Sequence, residues 1–121
     1  MLVISANQKI YLGLHPIDFR KGIDGIKRLC ETVCSQQPYS GHLFVFINRK
    51  RNSIKVLSYD GQGFWLSQKR LSSGRFRHWP TQTGVMKQLA VEQLQVLLRN
   101  GNLTSLEITP DWQTLSARRP C

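Results

Sequence analysis

Apolar and polar residues alternate with different periods along the chain, and each change of period marks a predicted element. Alternation over residues 9–12 predicts a short strand. After Pro16, apolar residues recur every three or four positions, which predicts a helix over residues 18–34 with Asp18 as its N-cap. The apolar stripe of this helix comprises Phe19, Ile23, Ile26, Cys30 and Val33.

The opposite face of this predicted helix is charged. Residues of opposite sign stand three or four positions apart, the spacing at which helical side chains form ion pairs. The predicted pairs are Arg20 with Asp24, Asp24 with Arg28, and Lys27 with Glu31. Gly22 and Gly25 each cost a helix up to ~1 kcal/mol relative to alanine, so we expect a close backbone approach or a frayed first turn there.

The middle of the chain predicts strands. Five consecutive apolar residues, Leu43–Ile47, are typical of a strand buried on both faces, and Ser53–Tyr59 follows after a basic connection, residues 48–52. Residues 60–63 form a turn by their composition. We expect residues 64–71 and 75–79 to form a second hairpin, closed by residues 72–74 with Gly74 in the left-handed conformation.

The last third predicts a loop over residues 81–87 and a helix over residues 89–99, with an Asn-Gly stop signal at residues 100–101. Its apolar stripe comprises Leu89, Val91, Leu94, Leu97 and Leu98. Residues 106–108 suit a short edge strand, and residues 116–121 a loose tail. The order of elements predicts an α+β domain over residues 1–101, with a small, mostly antiparallel sheet built from hairpins and packed against an N-terminal and a C-terminal helix. Residues 102–121 are expected to form a partly ordered extension.

Composition narrows the class of protein. The chain has 121 residues, of which 40% are hydrophobic and 20% charged, a globular composition of single-domain size. Neither a bilayer-spanning stretch nor a secretory signal is visible, and three cysteines without a CxxC pair argue against a disulfide scaffold. We therefore expect a cytoplasmic protein. The net charge of +10 makes a polyanion the leading candidate partner.

The positive charge is concentrated in the middle of the chain, where eight cations oppose a single carboxylate, Asp60. These predicted nucleic-acid contacts are Arg49, Lys50, Arg51, Lys55, Lys69, Arg70, Arg75 and Arg77. Aromatic residues suited to stacking are interleaved with them: Tyr59, Phe64, Trp65, Phe76 and Trp79. In the alternative interpretation, the cations form a solvated face and the aromatic rings fill the core beneath it.

Catalytic and metal sites have weaker support. A metal-dependent nuclease needs clustered carboxylates, and the candidates, Asp18, Asp24 and Asp60, each have a local explanation as cap, ion-pair partner or turn residue. Cys30 and Cys34 lie one helical turn apart, but buried core cysteines are far more common than ligands. No catalytic residue, metal or cofactor is predicted.

A succession of short blocks points to a family. The chain resembles TnpB, the accessory-protein family encoded by the second reading frame of insertion-sequence-66 transposons. The blocks are residues 18–25 (DFRKGIDG), 38–46 (PYSGHLFVF), 48–51 (NRKR), 54–57 (IKVL), 59–64 (YDGQGF), 69–71 (KRL), 74–76 (GRF), 79–80 (WP) and 89–98. Ser72 stands where the family usually has a glutamate. The segment with Arg77 and His78, before Trp79-Pro80, is one residue longer than is usual in the family.

The resemblance implies an accessory, non-catalytic role in transposition beside a separate, large transposase. Combined with the charge, it predicts a DNA-binding accessory factor, with the ends of the element as candidate targets. The alternative is an interaction subunit that docks onto the transposase without contacting DNA, with exposed aromatic residues such as Trp65 or Trp112 as anchors.

Overall fold

A computed structural model describes residues 8–102 as a five-stranded sheet with a helix on each face. The strands are β1 (Ile10–Gly13), β2 (Leu43–Ile47), β3 (Ser53–Tyr59), β4 (Phe64–Arg70) and β5 (Met86–Leu89), in the spatial order β4-β3-β2-β1-β5. The helices are α1 (Ile23–Thr32) and α2 (Val91–Leu98), and a short 3₁₀ turn covers Pro38–Ser40. The predicted α+β class and mostly antiparallel sheet are confirmed, with one parallel pair, β1 with β2.

β2 is the central strand, and all five of its residues are buried, as predicted. Phe44 and Phe46 face α1 and pack with Ile26 and Cys30. The alternate residues face the α2 side, where a larger core joins β1, β2, β3 and β5 to the helix. Its buried members include Ile10, Leu12, Val45, Ile54, Phe76, Trp79, Leu89, Leu94 and Leu97. The buried Cys30 is therefore a core residue.

The first helix is shorter than predicted. It begins at Ile23 with the extended Gly22 as its N-cap, so the assignment of Asp18 as the cap was wrong. The Asp18 carboxylate instead accepts a hydrogen bond from the backbone N–H of Arg20 at 2.9 Å and forms an ion pair with the guanidinium of Arg20 at 2.7 Å. That contact replaces the predicted pair between Arg20 and Asp24.

The predicted apolar stripe of α1 is only partly buried. Ile26 and Cys30 enter the core, whereas Ile23 and Val33 are 37% and 58% exposed. The late start places Ile23 in the first turn and Val33 just beyond the last, where neither packs under the helix. Leu29 completes the inner face.

The prediction that residues 64–71 pair with residues 75–79 was wrong. β4 pairs with β3 across the Asp60–Gly63 turn, from Tyr59 with Phe64 to Ser53 with Arg70. Residues 75–79 form no strand; they run as irregular chain over the α2-side core, into which Phe76 and Trp79 insert. Gly74 adopts the expected left-handed conformation (φ 78°).

β5 was not anticipated. It lies where a loop and the start of the second helix were predicted, and it pairs antiparallel with β1. Leu89 belongs to this strand, and α2 begins at Val91. Asn100, with φ 58°, ends the helix as the stop signal predicted. Among residues 8–102, no helix has the length and hydropathy needed to cross a membrane. The strand and tail predicted after residue 102, Trp112 included, lie outside the described residues.

Candidate nucleic-acid interface

Three of the predicted cationic residues line one open groove. Arg51 comes from the β2–β3 turn, and Arg75 and Arg77 from the irregular segment after β4. The groove encloses about 560 Å³, and its other lining residues are Gly74, Phe76, Trp79 and Thr81. We call this site the arginine groove. It brings together cations that are 24 to 26 positions apart in sequence, from two loops at the same end of the sheet.

The first wall of the groove is fixed by a hydrogen-bonded turn. The side-chain oxygen of Asn48 accepts hydrogen bonds from the backbone N–H groups of Asn52 (3.0 Å) and Ser53 (3.1 Å). The backbone of Arg51 adopts the left-handed conformation, with φ 60°, and its N–H donates to the carbonyl of Asn48. A non-glycine residue in this region costs about 1 kcal/mol or more and persists only where its surroundings impose it. Arg51 is therefore held in place by the turn.

The second wall is fixed by Asn100, whose side chain is 8% exposed. Its side-chain oxygen accepts the backbone N–H of Arg77, and its amide nitrogen donates to the carbonyl of Arg75, each at 2.9 Å. The two walls are joined directly, because the N–H of Phe76 donates to the carbonyl of Arg51 at 2.7 Å. Sequence reasoning assigned Asn100 only to the helix end. The available signal was an asparagine at a left-handed position, where its side chain can reach neighbouring backbone.

Within residues 8–102, the positive charge of the groove is not balanced by ion pairs. Arg75 and Arg77 are exposed and Arg51 is half-buried. No carboxylate of residues 8–102 forms an ion pair with any of these three guanidinium groups. The groove therefore presents three guanidinium groups that have no carboxylate partner within the described part of the chain, and forked N–H donors of this kind match anions with several oxygen atoms.

Lys55 does not belong to this site. It is 8% exposed and lies on the α1 face of β3, where its ammonium donates to the carbonyls of Phe19 (2.9 Å) and Lys21 (3.1 Å). The same ammonium lies 4.9 Å from the centre of the Phe19 ring. These contacts give Lys55 a structural role outside the groove, and its predicted contact with phosphate stays a prediction.

Lys69 also has a structural contact. Its ammonium donates to the carbonyl of Leu98 at 2.6 Å, at the C-terminal end of α2, where unpaired carbonyls favour a cation. Arg70 is exposed. Its position on β4 lies on the same face of the sheet as Lys55 on β3. The sheet thus separates Arg70 from the α2 side, where Phe76 and Trp79 line the groove. Lys69 lies on the α2 side, level with Ile54, but its ammonium is bonded to Leu98.

Arg49 and Lys50 form an exposed hairpin tip beside Arg51. The pKa of Asp18 lies well below its usual range, mainly because of hydrogen bonds from Arg20, with a smaller contribution from the charge of Arg49. The eight predicted cations divide into three in the groove, two at the tip, exposed Arg70, and two bonded to backbone carbonyls.

The aromatic residues interleaved with these cations fall into two groups at opposite ends of the sheet. Phe76 and Trp79 are 2% and 5% exposed, and the indole N–H of Trp79 donates to the carbonyl of Gly13. Tyr59, Phe64 and Trp65 lie at the opposite end of β3 and β4. The two aromatic residues that line the groove are thus core residues. The side chains left at the groove surface are those of exposed Arg75, Arg77 and Thr81 and of half-buried Arg51.

Comparison with known proteins assigns the chain to a family. The family model described as IS66 Orf2 like protein matches residues 8–107. The chain is 35% identical over 98 residues to the uncharacterized protein y4hO of Sinorhizobium fredii strain NGR234, covering 81% of this chain and 84% of that protein. It is 29% identical over 110 residues to y4jC of the same strain, covering 91% and 93%. No solved structure matches the chain. The chain belongs to the IS66 Orf2-like family, whose members are accessory proteins of IS66 transposition.

Proposed function

We propose that this protein is a non-catalytic accessory factor that binds the DNA of the transposing element through the arginine groove. The observation that carries the proposal is the convergence of Arg51, Arg75 and Arg77 on one groove without a carboxylate partner among residues 8–102. Of the eight cations predicted from sequence, these three are the core of the proposed site. Arg49 and Lys50 at the adjacent hairpin tip add positive potential beside it, whereas Arg70 lies on the opposite face of the sheet.

The chemistry of the groove favours the sugar-phosphate backbone. A guanidinium presents forked N–H donors that match two phosphate oxygens, and the backbone hydrogen bonds at Asn48 and Asn100 fix the loops that carry these forks. Phosphate contacts position a protein on DNA without reading its sequence. Selection of the element's ends would then depend on other components of the transposition machinery.

The local partners of Asp18 and Asp60 are in line with the non-catalytic role that we propose. Asp18 is paired with Arg20, and Asp60 accepts the N–H groups of Gln62 and Gly63 together with the indole N–H of Trp65. Among residues 8–102, no three His, Cys, Asp or Glu side chains are grouped. We assign the chemistry of strand transfer to a separate protein.

The test is a salt series of fluorescence anisotropy titrations on labelled duplex DNA. Each phosphate contact contributes about −0.9 to the slope of log K against log salt, so three groove contacts contribute roughly −3. Simultaneous replacement Arg51→Ala, Arg75→Ala and Arg77→Ala is expected to remove that part of the slope and to weaken binding at least about tenfold at low salt.

The matched control removes the same charge from exposed positions outside the groove: Lys9→Ala, Lys21→Ala and Arg28→Ala. This variant is expected to keep most of the affinity and most of the slope. Equal losses in the two triple variants would show that net charge alone attracts DNA. Absence of DNA binding by the unaltered protein at low salt would refute the proposal outright.

A further inference from the structure

The end of the sheet remote from the groove exposes aromatic rings. Among the described residues, Trp65 is 63% exposed and Tyr39 48% exposed. Tyr39, Tyr59 and Phe64 form a cluster with ring centres 4.9 to 5.1 Å apart. β3 separates this cluster from the arginine groove by its seven residues, about 20 Å.

This cluster already holds a cation of its own chain. The ammonium of Lys27 lies 5.1 Å from the centre of the Tyr39 ring and 5.5 Å from that of Phe64, distances typical of cation–π contacts. The rings at this end of the sheet thus suit a protein-borne ammonium or guanidinium.

Trp65 offers a second place for a cation. Its indole N–H donates to one carboxylate oxygen of Asp60 at 2.7 Å, while the other oxygen accepts the N–H groups of Gln62 and Gly63. Because these bonds favour the ionised form, the pKa of Asp60 is lowered and the carboxylate is charged at neutral pH. An oriented, exposed indole therefore stands beside a fixed negative charge, and no cation of residues 8–102 lies over its ring.

Asp60 is the sole acidic residue in the basic segment, residues 49–77, and it lies at the opposite end of β3 from the hairpin tip. Arg49 and Lys50 at that tip are exposed, and no described carboxylate pairs with them. The hairpin tip thus carries two exposed cations, and the Trp65 surface carries a carboxylate beside an exposed indole. These two local surfaces are complementary in charge.

We propose that a second copy of this chain places its hairpin tip against Trp65 and Asp60, so that copies associate head to tail along DNA. The contact joins two different surfaces and leaves one of each free, so it can extend to further copies. Copies with a charge of +10 repel one another, and DNA phosphates reduce this repulsion. The association is therefore coupled to DNA, and the inference rests on the proposed function.

The test compares duplexes of about 12 bp and about 30 bp, which at 3.4 Å per base pair accommodate one copy and at least two. Binding to the longer duplex is expected to be cooperative by about tenfold, the size of a cation–π contact reinforced by an ion pair. Trp65→Ala and, separately, the double variant Arg49→Ala with Lys50→Ala are each expected to abolish cooperativity. Val85→Ala, which trims another exposed apolar residue, is the control and is expected to stay cooperative.

Mixing the variants identifies the geometry. The Trp65→Ala chain keeps its tip and the Arg49→Ala, Lys50→Ala chain keeps its indole, so a 1:1 mixture can form one head-to-tail contact and is expected to regain cooperative pairing. Cooperativity unaffected by Trp65→Ala, or absent from the unaltered protein, would overturn the inference. Failure to bind the 12-bp duplex at low salt would instead contradict the proposed function.

Discussion

Lys55 and Arg51 show how far the role of a cation depends on its surroundings. Both lie in the same basic segment, four positions apart. The ammonium of Lys55 is directed to the carbonyls of Phe19 and Lys21, in the chain just before α1, whereas Arg51 lines the groove. The two carbonyls precede a helix that begins only at Ile23, so they lack helical hydrogen-bond partners. Lys55 supplies the donors, and its function is structural.

Replacing Lys55 is therefore expected to affect stability more than DNA binding. Lys55→Met removes two hydrogen bonds from a charged donor and leaves both carbonyls unpaired in a partly buried place. We expect a loss of roughly 2–3 kcal/mol in the free energy of unfolding, measured by urea denaturation. The exposed control Lys50→Met is expected to leave stability unchanged. A stable Lys55→Met variant with strongly weakened DNA binding would contradict this assignment.

Cys30 provides a pH-dependent prediction. Burial raises the pKa of its thiol to about 12, so in the unfolded chain the thiol ionises near its ordinary pKa of about 8.5 while the folded protein keeps its proton. The unfolded state therefore binds fewer protons above that pH, and stability falls as the pH rises from there towards 12. Urea denaturation at several alkaline pH values is expected to show a steeper fall for the unaltered protein than for Cys30→Ala. Parallel slopes would show that Cys30 does not carry this dependence.

At the scale of elements, the groove depends on the end of a helix that does not line it. α2 ends where Asn100 takes the left-handed conformation, and that turn directs the Asn100 amide to the backbone of Arg75 and Arg77. The packing of Leu94 and Leu97 in the core thus fixes one wall of the site. The site is an assembly of a hairpin turn, an irregular segment and a helix terminus.

Asn100→Gly is expected to loosen this wall without unfolding the helix. Glycine adopts the left-handed conformation without strain, so the change isolates the loss of the side-chain hydrogen bonds, about 1 kcal/mol each. We expect DNA affinity to fall about three- to tenfold, converted from that energy, as measured by anisotropy. Far-ultraviolet circular dichroism is expected to stay unchanged. Unaltered DNA affinity in a folded Asn100→Gly variant would show that the groove does not require the Asn100 side-chain hydrogen bonds.

At the scale of the whole molecule, charge and aromatic exposure are separated along β3. The groove and tip lie at one end, and the exposed rings lie at the other with Asp60. A net charge of +10 on a small protein produces self-repulsion that screening reduces. Anions that occupy the groove should stabilise the fold beyond this general effect, because binding to the native state shifts the unfolding equilibrium.

Sulfate provides the check. At equal ionic strength, sodium sulfate is expected to raise Tm more than sodium chloride, partly through exclusion of sulfate from the protein surface and partly through occupation of the groove. Differential scanning fluorimetry of the groove triple variant separates the two effects, since only the second should disappear. If the extra rise in Tm caused by sulfate is the same in the variant that lacks Arg51, Arg75 and Arg77, the groove does not bind oxyanions under these conditions.

The sequence by itself determined the elements whose signals are local. Five consecutive apolar residues predicted the central strand Leu43–Ile47, turn composition predicted the Asp60–Gly63 turn, and the apolar period with its stop signal predicted most of α2. Only the tertiary structure decided the parallel pairing of β1 with β2, the edge strand β5 and the insertion of Phe76. It also decided where the cations lie, because Lys55 bonds to carbonyls more than thirty positions away while Arg51, Arg75 and Arg77 line one groove. Propensity and period act over a few residues, whereas strand pairing and burial depend on neighbours that the chain brings together only on folding.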